Sequence, residues 1–210
     1  MLKNELALKD GEFLVKLARE AIATFLTTHR KMKPPSETSE KLLEKSGVFT
    51  TLDSVKNGTE LRGCIGYPYP TLPLAEAVID SAIEAATGDP RFPPVSLSEL
   101  EREIVIEVSV LRKPELIKVK NPQEYPKHVM IGKDGLIVEG GYSKGLLLPQ
   151  VPIEWNWDQE EFLSNCCLKA GLPPDSWLLK ETKIYKFQAI IFREKSPKGQ
   201  VELRALPVTG

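Results

Sequence analysis

Histidine and cysteine are scarce in this 210-residue chain, which has two of the first and three of the second. Neither His29 nor His128 sits in a spacing that would hold zinc, so no metal site is expected and no cofactor is implied. Cys64, Cys166 and Cys167 cannot form a paired disulfide framework, because one is isolated and the other two are adjacent. Reduced thiols in the cytoplasm are the expectation. Long apolar runs are also missing: Gly145-Leu146-Leu147-Leu148 is far shorter than the ~20 residues of a membrane helix. Met1-Leu2-Lys3-Asn4-Glu5 places polar and acidic side chains where a signal peptide is apolar. Nor is there an excess of either charge, since 28 Lys and Arg face 29 Asp and Glu for a net charge of -1. That balance gives no support to a nucleic-acid partner, while leaving room for a local basic patch. The Gly-x-Ser-x-Gly elbow of a serine hydrolase is absent.

What the chain has in plenty is proline, 17 residues where an average near 5% would give fewer, so many loops should be stiff and sharply turned. With 41% hydrophobic and 27% charged residues it is an ordinary globular chain, long enough to bury a sizeable core. No internal repeat and no linker-rich stretch divides it. One domain over residues 8–205 is expected.

Asp10 can cap a helix whose apolar stripe is Leu14, Leu17, Ala18, Ala21, Ile22 and Phe25, ending near His29. Lys33-Pro34-Pro35-Ser36-Glu37-Thr38-Ser39 cannot continue it and reads as an exposed loop. Residues 48–54 and 60–66 read as a hairpin about Lys56-Asn57-Gly58. Thr71 can cap a second helix with Gly88 as its stop, and Glu103 to Leu111 has the clearest strand pattern. Strands are expected at 129–131 and 135–139, a helix from the capping box of Asp158 and Glu161 through Ala170, and one long strand from Lys183 to Arg193. Strands outnumber helices and most of their connections are too short for parallel crossovers, which makes the fold class α+β with a mostly antiparallel sheet packed by helices.

Arg62-Gly63-Cys64-Ile65-Gly66 is the segment that carries most chemistry. On a regular strand Arg62 and Cys64 share one face, and a nearby cation favours the reactive thiolate. Leu61-Arg62-Gly63-Cys64-Ile65-Gly66, Asp89-Pro90-Arg91-Phe92, Gly145-Leu146-Leu147-Leu148-Pro149-Gln150-Val151 and Cys167-Leu168-Lys169-Ala170-Gly171-Leu172 follow one another in the order found in the AMMECR family. The chain resembles that family from about residue 8 to residue 205. The resemblance implies an α+β fold with a larger and a smaller lobe, and it implies no known activity. Archaeal and bacterial members are similar to the first component of the AmmeMemoRadiSam system. Its other members, a Memo-like protein and a radical S-adenosylmethionine enzyme, are thereby implied as partners. The chain departs from the family at Tyr67-Pro68-Tyr69-Pro70, and at Ser143-Lys144, where an arginine would be expected. Lysine lacks the bidentate fork of a guanidinium, which weakens any anion-binding role for that loop.

Each candidate residue has two readings. Cys64 is either a nucleophile, or acceptor of a covalent or radical modification, or else a small packed thiol. Arg62 either holds an anionic ligand or is locked in an ion pair, with Glu107 as the expected partner. Glu107 is a general base or that counter-charge. Arg91 reaches a ligand or satisfies helical carbonyls, and Gln150 orients a ligand or bonds a turn. Cys166 and Cys167 fall on the helical stripe with Phe162 and Leu163 and read as core, and Trp155 and Trp157 read as groove-filling side chains. Two functions stay open. One is an enzyme or modified component using Cys64, with Arg62, Arg91 and Gln150 around a small anionic ligand. The other is a non-catalytic binding or adaptor module for a protein or nucleic-acid partner.

Overall fold

The computed structural model describes residues 6–208, so the five residues read above as unlike a signal peptide lie outside the described residues. Helix α1 (Leu8–Thr28) buries Leu14, Leu17, Ala18, Ala21 and Ile22, the stripe that its periodicity marks. Asp10 sits in the first turn, where its carboxylate accepts the Ala7 N–H at 2.7 Å, and His29 ends the helix at φ 55°. Strands β1 (Gly47–Ser54) and β2 (Glu60–Tyr67) form the expected antiparallel hairpin. Helix α2 (Leu74–Thr87) starts after Pro73, beyond the cap expected at Thr71, and stops at Gly88 as expected.

Helix α3 (Leu97–Arg102) was not expected. Its signal is present in Ser96-Leu97-Ser98-Glu99, where the Ser96 hydroxyl accepts the Glu99 N–H at 3.2 Å and the Glu99 carboxylate returns to the Ser96 N–H. Strand β3 (Ile104–Leu111) follows, buried along its whole length, and then the short β4 (Glu115–Leu116). Residues 129–131 form no strand. The Met130 N–H goes to the Asp134 carboxylate and the Met130 carbonyl accepts from Lys133 and Asp134, so these groups close a turn instead of entering a ladder. Strands β5 (Gly135–Gly140) and β6 (Ser143–Leu147) make a hairpin, followed by α4 (Val151–Glu154) and by α5 (Gln159–Lys169) with the expected Asp158/Glu161 box.

The long strand expected over 183–193 is two strands, β7 (Lys183–Phe187) and β8 (Ala189–Glu194), with β9 (Val201–Leu203) after them. The break at Gln188 has a topological cause, since β7 belongs to one sheet and β8 to another. The sheets run β2-β1-β3-β8-β9 and β4-β7-β5-β6, and every strand pairing resolved in them is antiparallel. The fold class is thus α+β.

Tertiary contacts divide the described residues into a larger unit, 6–112 with 190–204, and a smaller one, 113–189 with 205–208. In the larger, α1 and α2 cover one face of the five-stranded sheet around Leu14, Ile22, Leu52, Val78, Ile79 and Ile106. A buried Arg19 ties α1 to β8 through Glu194, with contacts of 2.9 and 2.5 Å, and also donates to the carbonyls of Leu100 and Ile104. In the smaller unit, α5 backs the four-stranded sheet around Leu136, Val138, Phe162, Cys166 and Ile184. Among the described residues no helix is long and apolar enough to cross a membrane.

Candidate functional site

The site begins with glycine. A Cβ on Gly63 would lie 2.1 Å from the Ala85 carbonyl oxygen, so only glycine lets β2 lie this close to the C-terminal part of α2. That approach brings Asp89, just past the end of α2, to the next residue of the strand. Asp89 is 4% exposed, and its carboxylate accepts the Cys64 N–H at 2.9 Å. Arg91 closes the loop, giving its Nε and Nη2 to Asp89 at 2.9 and 2.6 Å and reaching the Cys64 carbonyl at 3.3 Å. Both backbone polar groups of Cys64 are therefore held by one aspartate–arginine pair.

The thiol itself points along a row of polar side chains. Cys64 lies opposite Thr51 on β1, and Thr51 lies opposite Glu107 on β3. The Thr51 hydroxyl donates to Cys64 Sγ at 3.2 Å. Glu107, 2% exposed, accepts from Arg204 at 2.7 Å and Arg193 at 3.5 Å, and Arg193 also binds Asp53 at 2.5 Å. Cys64 is half-buried, and that burial pushes its thiol up from the ordinary value, against the smaller downward pull of the Thr51 hydrogen bond and of Arg91. The charges of Glu107 and Asp89 add to the rise. Asp89 moves the opposite way: hydrogen bonds from the Arg91 guanidinium hold its carboxyl far below the usual carboxylate range.

Arg62 departs from its expected place. The register steps from Leu52–Gly63 to Asp53–Leu61, so Arg62 is an extra residue in a β-bulge and regular alternation fails there. Its partner is Glu99, at 2.6 Å from Nε and 3.3 Å from Nη2, instead of Glu107. Arg62 Nη1 is buried without a hydrogen-bond partner, and the guanidinium stands 5.9 Å from the Phe92 ring, which Arg91 approaches at 5.4 Å. Arg62 and Glu99 line an open cleft of about 530 Å³ together with Lys56, Glu60, Phe92 and Ser96. Cys64 is not in its lining.

Within the larger unit, Cys64, Arg91 and Glu107 belong to the row and its clamp, and Arg62 belongs to the neighbouring cleft. Gln150 lies in the smaller unit, buried before α4, where its backbone carbonyl accepts from the N–H groups of Ile153 and Glu154. Sequence reasoning missed Thr51, Glu99, Arg193 and Arg204. Glu99 was visible in its capping box, and Thr51 followed from hairpin register. Nothing in the sequence marks Arg204, which is brought to Glu107 across 97 residues. Among the described residues no group of three His, Cys, Asp or Glu is placed to hold a metal ion.

The sequence profile of the AMMECR1 family matches residues 15–192. The chain is 56% identical over 198 residues to a protein of Pyrococcus abyssi, covering 93% of this chain and 96% of that one. It is 53% identical over 206 residues to a protein of Methanopyrus kandleri, covering 97% of each. The crystal structure of an uncharacterized protein from Pyrococcus horikoshii superimposes with a TM-score of 0.91 at 54% identity, over 93% of this chain and 97% of that one.

Proposed function

The chain belongs to the AMMECR1 family, and from that premise we propose that it is a thiol-bearing cytoplasmic component of an enzyme system in which Cys64 is the reacting group. A small anionic ligand would meet Arg91, whose side chain is 46% exposed although it is paired to Asp89, and Arg62 would line the approach. A Memo-like protein and a radical S-adenosylmethionine enzyme are the proposed partners. Glu107 serves this reading by anchoring Arg193 and Arg204 behind the thiol, and Gln150 stands outside it.

The observation that carries the reading is the convergence on Cys64: its sulfur, its N–H and its carbonyl each have a side-chain partner, from Thr51, Asp89 and Arg91. A cysteine that only fills space needs none of these. Alkylation of the folded chain tests it, with the buried Cys166 and Cys167 as internal references. Cys64 should react while the chain is folded, faster as pH rises past the ordinary thiol range. Arg91→Ala and Thr51→Val should each slow it several-fold at a given pH, because both groups favour the thiolate. Reaction only on unfolding would remove the proposal.

A second reading, a non-catalytic binding module, is favoured by one feature. Each arginine near the thiol is matched by a carboxylate, Arg62 by Glu99 and Arg91 by Asp89, and burial pushes the Cys64 thiol up, away from the reactive thiolate. Under that reading Cys64→Ser keeps partner binding, whereas under the first it abolishes the activity of the assembled system. Co-purification with the two proposed partners tests the association itself.

A further inference from the structure

Trp155 and Trp157 belong to the smaller unit and take no part in the thiol site. Asn156 between them adopts φ 54°, a left-handed conformation that asparagine tolerates better than most residues. The two indoles stack, with centroids 6.1 Å apart and planes 19° from parallel. Trp157 is half-buried and packs against the core of the unit, as a groove-filling tryptophan would. Trp155 does not: it lies on the outside, 67% exposed. Tryptophan is among the side chains enriched at the energetic centres of protein interfaces, and one left this exposed marks a surface where a partner can dock.

Charge defines what would cover it. From residue 145 to residue 168 the chain contains no Lys, Arg or His, while Asp158, Glu160 and Glu161, within four residues of Trp157 in the chain, are all exposed. An indole face attracts cations, and a guanidinium also stacks flat upon it, so aromatic surface and carboxylates select the same kind of group. Phosphates would be repelled by the same carboxylates, which disfavours a nucleic acid despite the stacking surface. We propose that the Trp155–Trp157 platform, with its acidic surroundings, is a docking surface for an arginine- or lysine-bearing segment of a partner protein. The surface does not depend on the chemistry assigned to Cys64.

The test is to titrate the full chain with a short arginine-rich peptide, following the indole N–H resonances. Trp177, buried and donating to Ser164 at 3.1 Å, is an internal reference. Saturable movement of the Trp155 and Trp157 signals, with Trp177 still, is expected. Trp155→Ala should weaken binding about tenfold, Trp155→Phe should retain most of it, and Glu160→Lys should weaken it several-fold. Circular dichroism checks that these exposed substitutions leave the fold intact. Equal binding by the same peptide with glutamine for arginine, or unchanged affinity in Trp155→Ala, would overturn the proposal. So would tighter binding of oligothymidine at the platform, or a self-association in sedimentation that Trp155→Ala abolishes.

Discussion

Each unit seats a cysteine beside a glycine that lets sheet and helix meet, yet the two thiols live in different company. In the larger unit Gly63 rests on α2, and the neighbouring Cys64 is half-buried among Thr51, Asp89 and Arg91. In the smaller unit Gly145 rests on α5, and Cys166 is fully buried with its sulfur against the carbonyls of Leu136 and Gly145, at 3.5 and 3.7 Å. Burial pushes both thiols up. Burial by itself therefore does not call for the polar groups around Cys64, and their presence marks a different demand on that residue. The contrast extends to the units in degree: the larger buries charge in Arg19–Glu194, Asp89 and Glu107, while among the described residues of the smaller unit Asp134, in the turn before β5, is the one buried charged side chain.

The sharpest way to expose that difference is Arg19→Ala, which leaves the Glu194 carboxylate buried without its cation. It should cost about 4 kcal/mol, read as a fall in Tm on the order of 10 °C. Asp89→Ala removes the acceptor of the Cys64 N–H and the anchor of Arg91, and should cost about 2 kcal/mol in denaturant unfolding. Cys166→Ala should cost about 1.5 kcal/mol by leaving a small cavity, and Cys64→Ala less than about 1 kcal/mol; equal costs would break the comparison.

The smallest effect is one of pH. Cys166 keeps its proton in the folded chain where the unfolded chain has lost it, so its contribution is whole below the ordinary thiol range and declines as pH rises through and above it. Asp89 gives the mirror image, whole above the ordinary carboxylate range and lost on acidification. Stability measured from acid to alkaline pH should thus fall on both flanks, with the alkaline flank flatter in Cys166→Ala and the acid flank flatter in Asp89→Ala.

Periodicity made much of this fold legible. The stripe of α1, the hairpin of β1 and β2, the strand β3 and the Asp158 box all depend on neighbours within a few residues, and all are present. The division of 183–194 into two strands was not legible, because its cause is membership of two sheets and no local residue records that. The same limit governs the site. Cys64 and Arg91 could be named from their motifs, but the bulge at Arg62 depends on how β1 pairs with β2, and it carried the guanidinium to Glu99. The two arginines on Glu107 come from the far end of the chain.

Strand β2 is the outer strand of its sheet, with β1 on one side and, among the described residues, no strand on the other. An open border of that kind offers unpaired N–H and carbonyl groups to any extended chain that drifts past. At Cys64 both groups are already occupied, the N–H by Asp89 and the carbonyl by Arg91, and two residues earlier the Arg62 bulge interrupts the ladder. The clamp that fixes the thiol thus leaves neither backbone group of Cys64 open to such a chain, and Asp89→Ala is expected to raise light scattering in concentrated solution.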